Sequence, residues 1–296
     1  MFEGVPERLT AAVRDARNDF KGDSIYVMAA GLVMVEYLRK QIDDPDKPHD
    51  FLHNHKNQDG GLDWKYTVRT TSVGETLFLL RNCVGFADIC RRLKERDLRS
   101  AFYEMFAARL FHRAEYQIVV KPEVGKKGED FDFTARKNGE VINVEVTALT
   151  APEFSNVTVG NALRGKASQL PTTSPAIIVC AYPEQWHDSK IPPSVLFQEA
   201  VVRFFRSSRR VNAVVLVHEV HQQAGLDDYG GLFFGKQVFF NPSPRMTINS
   251  MQFLVSDPPM SDLTGTEILN QADMKRRLGY FRDSEFYRWV DFAIST

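Results

Sequence analysis

The sequence predicts an α/β fold with a mixed central sheet flanked by helices, preceded by a mostly helical region over residues 1–97. Three observations predict it. Residues 98–149 read as one amphipathic helix followed by three strands. Ala176–Ala181 and Ala213–His218 are continuous apolar runs, the mark of strands buried on both faces. Helix-like segments separate those runs, so crossover connections follow an antiparallel start. A second unit is therefore expected over 98–296, with a helical tail.

The N-terminal region is read from helical spacing. Leu9, Ala12, Val13 and Ala16 recur at that spacing, and Ile25–Ile42 is apolar on most sides. Leu77, Leu80, Val84, Phe86, Ile89 and Leu93 suggest a helix over Thr76–Lys94. The polar stretch Asp43–Ser72 reads as a loop, with a short strand near Trp64–Val68.

In the second region, Leu98, Phe102, Met105, Phe106 and Leu110 form the apolar face of a helix over Leu98–Arg113. Strands are expected at Tyr116–Val120, Phe131–Ala135 and Val141–Leu149, the last two joined by a tight turn at Lys137-Asn138-Gly139-Glu140. Helices are expected at Val159–Gln169 and Pro193–Arg206, and further strands at Phe233–Phe240 and Met251–Val255. The tail, Thr264–Ala293, reads as helical and aromatic.

Composition narrows the function classes. Of the 296 residues, 43% are hydrophobic and 25% charged, as in an ordinary globular protein. The net charge of -1 gives no global positive field, so contact with nucleic acid would need local basic patches. Three cysteines, widely spaced, make neither a disulfide framework nor a zinc site. Glu3, Glu7 and Arg8 argue against a secretory leader, and no apolar run suffices for a membrane span. A cytoplasmic location without a membrane partner is expected.

The carboxylates carry the chemistry. Asp130 lies near the start of one strand and Glu145 inside the next, so neighbouring strands could present both to one divalent cation. Asp132 shares the parity of Asp130 and is either an exposed strand residue or a third ligand. Glu145 lies between valines, where an unpaired carboxylate is costly. Glu104 is on the amphipathic helix and could serve a site or a salt bridge. Lys126-Lys127, just ahead of Asp130, could meet a phosphate backbone.

Other motifs read as structure. His218-Glu219-Val220-His221 lacks the spacing of a zinc-protease helix and reads as a strand-end turn. Gly230-Gly231 and Gly235 read as a turn. Arg91-Arg92-Leu93-Lys94 reads as a solvated face, and Arg209-Arg210 lies on the connection into a core strand.

Here the chain resembles the PD-(D/E)XK nuclease superfamily, the restriction-endonuclease-like fold, over residues 98–220. Gly128-Glu129-Asp130-Phe131 matches the G-x-D-F form of its Asp motif, and Glu145-Val146-Thr147 matches E-x-K except that Thr147 replaces the lysine. Glu104 matches the glutamate of the preceding helix, and Lys166 and Gln169 match a K-x-x-Q element of the following one. The resemblance implies Mg²⁺ or Mn²⁺ held by Asp130, Glu145 and Glu104. It also implies that Lys166 supplies the missing positive charge and that Gln169 assists it. DNA is the substrate it implies, with nucleic acid as partner, and a homodimer is a further expectation. The alternative is a catalytically silent member of the same fold that binds nucleic acid or serves assembly.

Overall fold

The computed structural model describes residues 2–20, 24–39, 64–183, 185–186, 191–223, 230–249, 251–256 and 284–296. Its centre is a six-stranded mixed sheet in the order β1-β2-β3-β4-β5-β6. The strands are β1 Gln117–Val120, β2 Phe133–Lys137, β3 Glu140–Ala148, β4 Ala176–Ala181, β5 Ala213–Gln223 and β6 Gly230–Phe240. β1–β2 and β2–β3 are antiparallel, β3–β4 and β4–β5 parallel, and β5–β6 antiparallel. The α/β fold and the helical N-terminal region read from the sequence are both present.

The β2–β3 turn follows from its residues. Asn138 and Gly139 have φ of 50° and 80°, the left-handed pair that suits a two-residue hairpin, and Lys137 pairs with Glu140. The alternating sequence of β3 then sorts its side chains. Ile142, Val144 and Val146 enter one core, while Asn143, Glu145 and Thr147 take the other face.

Helices cover both faces. On one side lie α1 Glu7–Ala16, α2 Ser24–Leu38, α3 Trp64–Leu80, α4 Phe86–Glu95 and α5 Leu98–Arg113. Their core runs without a break into the sheet through Ile118, Phe133, Val144 and Val179, and a last helix, α9 Glu285–Ser295, joins it through Phe286 and Trp289. On the other side α6 Asn156–Gln169 and α7 Pro193–Ser207 bury Val159, Leu163, Phe197 and Phe204 against Ile178 and Cys180. No described helix is long and apolar enough to cross a membrane.

Four expectations are corrected. The polar segment ahead of Ser72 was expected as loop and strand, yet α3 begins at Trp64. That helix is held by its later turns. Gly74 lies so close to α2 that a Cβ there would sit 2.4 Å from the Ala30 carbonyl oxygen, and buried Glu75 is paired with Arg109 at 2.9 Å. The single helix expected over Thr76–Lys94 breaks at Gly85, whose φ of 84° and contact with Val120 only glycine tolerates.

Met251–Val255 is not a strand, since a short helix, α8, spans Gln252–Ser256. Phe253 is anchored there by Phe111 and Tyr116, with ring centroids 5.1 and 5.0 Å away. Finally, the turns expected at His218–His221 and Gly230–Gly235 are strand. β5 runs on to Gln223 and pairs with β6, and Gly235 lies opposite His218, where any Cβ would strike the imidazole. Most of the polar stretch Asp43–Ser72 and of the tail lies outside the described residues.

Candidate active site

The candidate site lies at the C-terminal end of β3, on the side where parallel α/β sheets commonly bind ligands. β2 begins only at Phe133 while β3 continues to Ala148, so on that side the amide of Val146 has no strand opposite it. The side chain of Asp132 supplies the acceptor instead: Val146 N–H donates to Asp132 Oδ2 at 2.7 Å. Extending the register by one pair beyond Phe133↔Val144 places Asp132 beside Glu145.

Helix α6 brings the cation. Its N-terminus is capped by Ser155, which accepts from Val157 N–H at 3.3 Å. At its other end Arg210 donates to the carbonyls of Ala167 and Leu170 at 2.8 and 3.0 Å, satisfying acceptors the helix leaves open. Arg210 is therefore a clamp on the helix. Between the two caps, Lys166 Nζ reaches Glu145 Oε1 at 2.5 Å.

Helices α4 and α5 close the other side. Val120 N–H donates to Val84 O at 2.9 Å, and this bridge docks the start of α4 on β1. Arg92 of α4 then lies 2.8 Å from Glu104 and 3.1 Å from Asp132, and also donates to the carbonyl of Lys121. Arg96 holds the second oxygen of Glu104 at 2.9 Å. α5 itself is fixed at its start by Asp97, which accepts from Ser100 N–H at 3.0 Å. A cavity of about 20 Å³, room for one water, separates Arg92, Glu104 and Asp132 from Val120 and Phe133.

The electrostatics are those of buried charge. Glu145 is 2% exposed, and burial pushes its carboxyl up to about 7 although Lys166 pulls the other way. Burial, with the charges of Glu104 and Glu145, pushes Asp132 well above the usual carboxylate range, against the pull of Lys166. Burial lowers the Lys166 amine, but Glu145, Asp132 and Glu104 together outweigh it and hold it above its usual value. One oxygen, Glu145 Oε2, is buried without a hydrogen-bond partner, as is Gln169 Oε1.

The expected residues are thus only partly brought together. Glu104, Glu145 and Lys166 share one electrostatic cluster. Asp130 does not join it, since its carboxylate accepts from Val124 N–H at 3.0 Å in the preceding loop. Asp132 occupies the place expected of Asp130. Lys126 and Lys127 are exposed on the loop leading to Asp132, with Lys126 paired to Glu129. Thr147, on the face of Glu145, pairs in register with Cys180.

Arg92, read as part of a solvated face, is instead buried in the site, and Arg96 was not singled out. The signal was present for Arg92: it stands three residues after Ile89 and next to Leu93, both buried, so α4 turns it inward. Comparisons of the chain with protein-family models, curated proteins and solved structures give no match.

The donor set is oxygen-only, which suits Mg²⁺ or Mn²⁺ rather than zinc. The unpartnered Glu145 Oε2 fits such an ion, which needs only one or two protein carboxylates because it keeps several waters, and Asp132 could join it where Arg92 releases Oδ1, since Oδ2 accepts from Val146 N–H. Glu104 does not present a free oxygen, because each is held by an arginine. Among the described residues no three His, Cys, Asp or Glu side chains are grouped as a metal cage.

Proposed function

We propose that the protein is a metal-dependent phosphodiesterase, a nuclease acting on DNA, built on a core of the PD-(D/E)XK kind. The observation that carries this reading is the Lys166–Glu145 ion pair at 2.5 Å, beside a second buried carboxylate, Asp132. Such a concentration of buried, mutually perturbing charges is costly to fold and is characteristic of functional sites. The element order α5-β1-β2-β3-α6-β4 supports the same reading, as does the position of Lys166 one helix after Glu145.

The residues would divide the work as follows. Asp132 and Glu145 would hold Mg²⁺ or Mn²⁺, which when bound supplies Lewis acidity and a more acidic water. Lys166 orients Glu145 and offers a positive charge to a phosphate oxygen, the task Thr147 cannot perform. Gln169, three residues after Lys166 on α6, has a buried and unpartnered Oε1 that can accept from a water. Lys126 and Lys127 lie on the adjoining loop, where they can meet the backbone of the substrate.

A second reading, a catalytically silent nucleic-acid-binding member, is favoured by one observation: Arg92 already bridges Glu104 and Asp132. The test is incubation of the full chain with plasmid and with single-stranded DNA, in Mg²⁺ and in Mn²⁺, beside Asp132→Ala and Lys166→Ala. Metal-dependent cutting lost in both variants supports the enzyme. Salt-sensitive binding without cutting by the wild type supports the silent form and overturns the nuclease.

A further inference from the structure

Arg92 and the neighbouring Arg96 enter no step of the function proposed above, yet between them they hold both oxygens of Glu104, and Arg92 also holds Asp132. The cluster holds three carboxylates, Glu104, Asp132 and Glu145, and three cations, Arg92, Arg96 and Lys166. Arg96 is also paired with Glu123. Arg92 is 4% exposed and takes one carboxylate from α5 and one from the start of β2. A divalent cation entering beside Asp132 would raise the local charge by two in a region shielded from water, where like charges repel most strongly. The ion and a resident cation held on the same carboxylate would therefore repel each other.

Lys166 is a poor candidate for that cation, because it holds only Oε1 of Glu145 and leaves Oε2 open. Arg92 is the better one. It contacts the carboxylate the ion would share, and a small cavity adjoins it. That a cation is wanted here is indicated independently by Glu145 Oε2, which is buried and unpartnered although Lys166 holds its twin.

We propose that Arg92 is a built-in competitor of the divalent cation: it neutralises Asp132 and Glu104 in the metal-free protein and leaves Asp132 when the ion binds. This inference rests on the reading that Asp132 and Glu145 receive a metal. Because α4 opens with the Gly85–Val120 contact on β1, withdrawal of Arg92 would loosen the packing of that helix, linking the N-terminal region to occupancy of the site.

The test is Mn²⁺ binding by titration calorimetry to the full chain and to Arg92→Gln, with Arg91→Gln as control. Arg91 is on the same helix but pairs with Asp88 and Glu95, away from the cluster. Arg92→Gln is expected to bind Mn²⁺ at least ten-fold more tightly than wild type, and Arg91→Gln equally to it. Equal or weaker binding by Arg92→Gln overturns the proposal. A measurement on the wild type covers the case in which Arg92→Gln does not fold: amide exchange in α4 should quicken on saturation with Mn²⁺, and unchanged exchange overturns the proposal. Tighter Mn²⁺ binding without DNA cutting would leave this inference standing and remove the nuclease. Cutting with no competition at Arg92 would do the reverse.

Discussion

Lys166 Nζ and Glu145 Oε1 stand 2.5 Å apart, joining helix α6 to strand β3 across 21 positions of sequence. The pair puts a lysine beside the glutamate of Glu145-Val146-Thr147 although the strand itself carries none. If that lysine performs the task of a strand lysine, its position matters and its sequence address does not. Lys166→Ala should then reduce DNA cutting by about a hundred-fold or more, the usual scale for loss of a charge-stabilising group. The double variant Lys166→Ala/Thr147→Lys should recover at least ten-fold of the loss, because Thr147 shares the face of Glu145. Recovery no greater than in Lys166→Ala would show that the amine cannot act from the strand.

Asp132 rather than Asp130 should matter for both stability and activity. Asp132→Ala leaves the Val146 amide without an acceptor and Arg92 with one carboxylate fewer, a loss of about 1–3 kcal/mol. It should also abolish cutting. Asp130→Ala removes only a loop hydrogen bond to Val124 and should keep cutting near the wild-type rate. Denaturant titration and a plasmid assay on the two variants decide it, and equal effects would remove Asp132 from its assigned place.

Stability should fall as pH rises through neutrality. The Glu145 carboxyl is held at about 7 in the folded chain, well above its unfolded value near 4.3. Between those values the folded protein binds more protons than the unfolded one, so its contribution is full below the unfolded value and is lost as pH climbs through about 7. Asp132, also raised by burial, adds to the same trend. Urea midpoints between pH 5 and 8 should therefore decline, and Glu145→Gln should flatten the decline. A wild-type profile that rises over this range would contradict the assignment.

Gly74→Ala should destabilise the N-terminal helices by about 1–3 kcal/mol, the usual cost of overpacking. Its Cβ would press on the backbone of Ala30, which cannot swing aside as a side chain can. Thermal unfolding against Gly31→Ala, where a Cβ meets nothing within 4 Å, provides the comparison.

Much of this was legible in the residues. The alternation of β3, the apolar runs of β4 and β5 and the Asn138-Gly139 turn predict their own structure, because strand burial and turn geometry are local demands. The elements that escaped were settled by distant partners. α3 is helical where its polar start looks loop-like, because its later turns are packed on α2 and its Glu75 is neutralised by Arg109 and Arg113 of α5. α8 owes its form to Phe111 and Tyr116, well over a hundred residues away.

The same division runs through the site. The sequence by itself set Glu145 between two core-facing valines of an inner strand, where an unpaired carboxylate is costly. It also placed Glu104 and Lys166 on the two helices that flank the strands. Only the tertiary structure decided which aspartate joins them. Asp130 and Asp132 are alike in type and parity, but β2 starts at Phe133 and leaves one β3 amide open, and only Asp132 is close enough to satisfy it. The folded arrangement likewise decided that Arg92 faces the carboxylates, because the docking of α4 on β1, which no local pattern encodes, sets the direction in which that helix points.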